Sequence, residues 1–254
     1  MKEKIMLLFV AVLLAGSWQV STVFGDVENN EVFFDFKKKD EEKSNKNSKE
    51  DDNGIHKHEG WIKYYAKELG IKTEGKDLKE LAMEVKEAKM EKTAKELGVE
   101  TEGKDWKQLA KELHHAKVLQ EAKQLGVETE GKEAEELAKE VLELKVTSKA
   151  EELGIDTEGK ELKELLKEVK MAAVQKEAKA YDIDTEGKKH RELVMELHEA
   201  KLYDSADKLG IETEGKTPAD LLTEILEKNA AEAKELNIYP FEENENKFYF
   251  KHHH

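Results

Sequence analysis

The tetrapeptide Thr-Glu-Gly-Lys occurs six times, beginning at Thr73, Thr101, Thr129, Thr157, Thr185 and Thr213, at one unvarying interval. Strict spacing over that many copies leaves few architectures open. A fixed period in this range marks a repeat array, in which each unit packs on its neighbours and no single large core is needed. Positions below are counted from each Thr as zero.

Position −3 is Gly70, Gly98, Gly126, Gly154 and Gly210, with Asp182 in one copy and Asn237 in a degenerate seventh. These residue types tolerate the left-handed backbone that closes a helix. Position −2 is always Ile or Val, from Ile71 to Ile238, and one turn back stands an alanine, from Ala66 to Ala233. That is the spacing of a Schellman ending, where the residue after the glycine folds back over a small side chain. A second glycine inside the tetrapeptide, at Gly75, Gly103, Gly131, Gly159, Gly187 and Gly215, sets the turn of the extension that follows.

The next helix is expected at position +5, because Pro218 there suits a first helical residue and Thr217 before it suits a cap. Asp77 and Asp105 are good caps at the same place; Glu133, Glu161 and Lys189 are weaker ones. From +5 to the next ending no further glycine or proline intervenes, so one continuous helix of about 20 residues, ~30 Å long, is expected. The alternative is a break near +15 to +17, giving two short helices per unit.

Each long helix carries two apolar stripes. Leu78, Leu81, Ala82 and Val85 form one, and Met90, Ala94 and Leu97 form another, roughly 140° around the helix at about 100° per residue. The pattern recurs with Trp106, Leu109 and Leu113 against Val118, Ala122 and Leu125. A helix with two stripes has two partners: its first half packs on the helix before, its second half on the helix after. The expected fold is all-α, a solenoid-like or beaded array of tandem 28-residue repeats with long shared helices, spanning 59–239. Each junction buries few side chains, so neighbour coupling must supply the stability. The ends need caps: Trp61, Ile62 and Tyr65 supply one, and Pro240-Phe241 the other.

Residues 1–25 read as a signal peptide, with Lys2 and Lys4 before an apolar run and a cut near Gly25. The run is short for a membrane span of ~20 residues. Residues 26–58 read as a polar linker, interrupted by an aromatic island at 32–36 that contains Phe33, Phe34 and Phe36. The C-terminal tail, 240–254, carries a matching island of Phe248, Tyr249 and Phe250, and both islands follow runs of Glu and Asn. These six aromatics are the candidate protein-binding or self-association residues, since an exposed aromatic strand is a liability until paired. The chain has no cysteine, which excludes disulfides, thiolate metal sites and a cysteine nucleophile. An exported, cysteine-free, Lys/Glu-rich chain points to a bacterial source and a place in or outside the cell envelope.

The residues Ala66, Leu69, Gly70, Ile71, Gly75, Leu78 and Leu81 together resemble the helix–extension–helix motif of SAP, LEM and Rho N-terminal-type domains, repeated in tandem. The resemblance implies a two-helix module that binds DNA, RNA or protein. The chain departs from the nucleic-acid-binding members in charge. Its net charge is −15, which repels phosphate at long range.

Other chemistry is thin. Gly210 to Thr217 spells a P-loop, but a helix precedes it where a strand is required. The acids before each tetrapeptide (Glu100, Glu128, Asp156, Asp184, Glu212) supply too few oxygens for Ca²⁺, and the charges of the extension are expected to be solvated. The nine histidines include no pair four residues apart on a helix, and the terminal run at 252–254 has the form of a purification tag. No nucleophile–base motif is present. The sequence thus points to a secreted, non-enzymatic scaffold or protein-binding module without metal or cofactor. The alternatives are self-assembly through the aromatic islands and, less in keeping with the charge, nucleic-acid binding.

Overall fold

The computed structural model describes Ile55 and residues 58–244 of the chain. Residues 1–25, read above as a signal peptide, the island with Phe33, Phe34 and Phe36, and the island with Phe248, Tyr249 and Phe250 lie outside the described residues. Among the described residues the fold is entirely helical: α1 (Glu59–Glu68), α2 (Leu78–Leu97), α3 (Trp106–Gln124), α4 (Ala134–Glu152), α5 (Leu162–Ala180), α6 (His190–Lys208), α7 (Pro218–Lys228) and α8 (Ala230–Glu235).

The helices α2 to α6 run unbroken for 19 or 20 residues. Every start from α2 to α7 falls at position +5. The alternative of a broken helix occurs once, at Asn229 between α7 and α8, which is position +16 of the last copy. Four of the five full copies carry lysine at that position.

The helix endings follow from the repeated glycine. The N–H of Ile71 donates to the carbonyl of Ala66 at 2.8 Å, and that of Gly70 to Lys67 at 3.2 Å, which are the two bonds of a Schellman motif. The bond to the alanine recurs in all seven copies, down to Ile238 to Ala233 at 3.1 Å. The alanine at its foot is fully buried every time. The glycines at both repeat positions have φ between 65° and 80°, while Asp182 and Asn237 adopt 56° and 49° in glycine's place. Left-handed backbone costs a residue with Cβ roughly 1–2 kcal/mol. Asp182→Gly is therefore expected to stabilise the chain by up to about 1 kcal/mol, read as a rise in thermal midpoint, and Gly154→Ala to destabilise it by a similar amount.

The lysine of the tetrapeptide ties each extension to the helix it introduces. Lys104, Lys160, Lys188 and Lys216 bond Glu112, Glu168, Glu196 and Glu224 at 2.5 Å, and Lys76–Glu84 and Lys132–Glu140 make the same pair. These pairs are half exposed, and each contributes only ~0.2–1 kcal/mol. The expectation that the extension charges are merely solvated is corrected for this lysine.

Packing matches the two-stripe reading. Leu109 and Leu113 of α3 meet Met90 and Ala94 of α2, and Leu137 and Val141 of α4 meet Val118 and Ala122 of α3. The ends depart from expectation. Instead of capping two separate termini, α1 packs on α7 and the array closes on itself. Ile62, Tyr64 and Tyr65 of α1 share one core with Leu81 and Val85 of α2 and Leu226 of α7. Gly60 makes the approach possible: a Cβ there would lie 3.2 Å from Thr223 Oγ1 and 3.3 Å from a methyl of Leu226. Trp61 and Phe241, which their places in the chain assign to opposite caps, stand 5.8 Å apart ring to ring. The geometry explains the closure. A helix whose two neighbours sit about 140° apart turns the array at every step, and a closed seven-sided polygon needs about 129°, within the scatter of helix packing.

Two ion pairs fasten the seam, Lys234–Glu68 at 2.8 Å and Lys63–Glu227 at 3.6 Å. The Lys234 ammonium holds the Glu68 carboxyl below its ordinary value of 4.5. A lowered folded pKa gives stability that is present above the ordinary carboxylate range and is lost as pH falls through the folded value. Glu68 is half exposed, so the effect is small. Glu68→Gln should be less stable than the parent at pH 7, and the gap should shrink in thermal melts as pH falls below 4.5 and close once Glu68 is protonated in the folded chain.

Candidate functional site

On each shared helix, positions +13, +16 and +20 fall in the gap between the two apolar stripes. Because the neighbours lie on either side of that gap, it faces the concave interior of the closed array. In α2 to α6 these helices present Lys86, His114, Leu142, Lys170 and His198 at +13, and Lys89, Lys117, Lys145, Ala173 and Lys201 at +16. Position +20 adds Thr93, Glu121, Lys149, Glu177 and Ser205, so the fifteen inner positions hold seven lysines, two histidines and two acids, in a chain with 58 acids and 43 lysines and arginines. Opposite, on the convex side, position +11 is glutamate in every full copy. Along these rows the array is acidic outside and basic within.

The lysine row is also structural. Lys145 of α4 bonds Glu121 of α3 at 2.5 Å, and Lys201 of α6 bonds Glu177 of α5. Lys89 of α2 lies 3.6 Å above the ring centroid of Tyr65 of α1. In each case the lysine at +16 reaches position +20 of the preceding helix. At the α4–α5 junction the roles reverse: Lys149 stands at +20 and bonds Glu152 at 2.6 Å, and Ala173 holds +16 on the next helix. A second lysine there would have met the first. At α6–α7 the pair is Ser205 and Asn229, and the helix breaks.

One stretch of chain lies across this face. After α8, the Tyr239 ring lies tilted, 5.5 Å from that of His198 of α6, and Phe241 stands 5.3 Å from Tyr64 and 5.8 Å from Trp61 of α1. Glu242 bonds Lys201 of α6 at 2.6 Å, and the Asn244 amide donates to Glu177 Oε1 of α5 at 2.7 Å. This strap therefore crosses three helices at the closure. Burial, with Glu242 nearby, pushes the Tyr239 hydroxyl up to about 12. A separate cleft of about 580 Å³ opens at the seam, with Tyr64, Ile71 and Leu226 among its lining and Lys63, Lys67 and Lys72 beside them.

No family model matches the chain, and comparison with curated proteins and with solved structures finds no match. The site must therefore be read from its own chemistry. Among the described residues no group of three or more His, Asp or Glu is placed to hold a metal ion, and no helix is long and apolar enough to cross a membrane. The repeat glycines that sequence singles out, Gly70 to Gly215, all sit in helix endings and extension turns, where they shape backbone. Sequence reading misses the inner lysine row, although its signal is there: lysine recurs at one unvarying repeat position lying between two apolar stripes.

Proposed function

We propose that the chain is a non-enzymatic protein-binding module, exported by its leader, whose inner face engages an acidic segment of a partner at or outside the cell envelope. The observation that supports this most is the segregation of charge, with basic groups gathered on the concave side of an acidic protein. Clustered charge of one sign in a concavity focuses the field and favours a partner of opposite sign. The strap supports the same chemistry, since an acid and an aromatic are what already sit there. Nucleic acid would be served by the same charge, but Glu121 and Glu177 stand inside the lysine row and neutralise part of it, which disfavours a phosphate chain.

The test is affinity capture from envelope extract on the full chain and on Lys117→Glu/Lys170→Glu. A partner retained by the parent at moderate salt and lost by the variant, with thermal midpoints alike, supports the reading. Equal retention by both, or none by either, counts against it. A gel shift with single-stranded and duplex DNA at low salt decides the nucleic-acid reading.

A further inference from the structure

We propose that the cleft at the seam binds a monocarboxylate with an apolar body, such as a medium-chain fatty acid. This ligand is of a different class from the acidic partner proposed for the inner face, and the two proposals stand or fall separately. The cleft encloses about 580 Å³, within the ~300–1,000 Å³ typical of small-molecule sites. Three pieces of chain build it. Helix α1 supplies Lys63, Tyr64 and Lys67, the extension after it supplies Ile71 to Glu74, and α7 supplies Leu226 and Glu227. Closure of the array therefore provides one wall.

Its charge sets this junction apart from the others. Lys63, Lys67 and Lys72 stand at positions −10, −6 and −1 of the first copy. Position −1 is an acid in the five copies that follow, as Glu100, Glu128, Asp156, Asp184 and Glu212. None of those copies has lysine at −10, and none has lysine at more than one of the three positions. A junction that gathers three cations, in a chain of net charge −15, draws an anion to one place on an otherwise repulsive surface.

The balance of charge and apolar surface selects the ligand. Lys63 is held by Glu59 at 2.7 Å and by Glu227 at 3.6 Å. Lys67 and Lys72 make no salt bridge among the described residues, so their ammonium groups are open to a carboxylate. Across the lining, three lysines and two glutamates leave one net positive charge, which suits a single carboxylate better than a polyanion. Exposed ion pairs are weak by themselves, so a headgroup alone is not retained. Tyr64, Ile71 and Leu226 supply the apolar floor on which a hydrocarbon body leaves water while its head stays at the lysine rim.

The test is a titration of the isotope-labelled full chain with decanoate below its micelle concentration, followed by amide chemical shifts. Saturable shifts confined to residues 63–74 and 226–227 are expected. Acetate, which lacks the body, and decanol, which lacks the charge, should each bind at least tenfold more weakly. Lys67→Glu/Lys72→Asp installs the residues that the fourth copy carries at the same positions, Glu151 and Asp156, and so should fold as the parent does. It should lose at least tenfold in decanoate affinity with its thermal midpoint unchanged. No saturable shift in the parent, equal decanoate affinity in the variant, decanol bound as tightly as decanoate, or shifts centred on the inner lysine row would each overturn the proposal.

Discussion

Replacing Gly60 by leucine is expected to spring the seam between α1 and α7 while leaving the other six junctions intact. The position is buried against Thr223 and Leu226, with no room beyond a Cβ that is itself tight at 3.2 Å. A leucine must displace helix α7 or be expelled with α1. Overpacking of this kind costs ~1–3 kcal/mol where the structure holds. Here it need not hold, because closure is one contact among seven. Gly60→Ala is the informative control: the squeeze on its neighbours is offset by roughly 1 kcal/mol of helix propensity, so alanine should be near neutral. Circular dichroism should show little loss of helix in either variant. The leucine variant should lose the edge contact of Trp61 with Phe241, read as a red shift of tryptophan emission, and its hydrodynamic radius should rise.

Lys201→Ala is the substitution expected to cost most stability. Lys201 is 2% exposed, and its ammonium lies between the carboxylates of Glu177 and Glu242, themselves 15% and 19% exposed. Removing the cation leaves two part-buried acids facing each other without compensation, for which ~3–5 kcal/mol is typical. The chain itself suggests the rescue. At the α4–α5 junction alanine occupies the same repeat position and a lysine stands at the partner position, as Ala173 and Lys149. Lys201→Ala/Glu177→Lys transplants that arrangement, leaves one carboxylate and one ammonium at the site, and should recover most of the loss in chemical denaturation. A double variant as unstable as the single would show that the row is not a set of interchangeable charge pairs.

Much of the fold is legible in the sequence because each local choice repeats. The glycine at −3, the Ile or Val after it and the buried alanine before it specify one helix ending again and again, and asparagine or aspartate can stand in because both tolerate left-handed backbone. Helix starts are legible from Pro218 and the caps at Asp77, Asp105 and Thr217, all three of which accept from the backbone N–H three residues on. Closure is not legible, although the offset between stripes encodes the turn per unit. An angle of about 140° lies close to several polygons, and the number of units that closes the ring depends on small differences in packing angle that sequence does not specify. The residues that decide it look like ordinary end caps: Trp61 and Phe241 are aromatic at both termini of the array, and nothing in their spacing says that they meet. The inner face escapes sequence reading for a related reason. Lysines at +13 and +16 look like solvated surface on a single helix, and only closure turns that surface inward.

Closure of the array is the claim on which the inner face, the seam and the strap all depend. It is tested most directly by the distance between spin labels on Lys67→Cys of α1 and Lys228→Cys of α7, both exposed, in an otherwise cysteine-free chain. A closed array places the two labels within about 25 Å of each other, since the helices that carry them are in contact. An open array separates them by six helix-to-helix steps of ~8–10 Å, giving a broad distribution centred at about 50 Å. A single short distance in the full chain, lost on Gly60→Leu, is the result predicted here; the broad, long-distance distribution of an open array in the parent would contradict the closed fold.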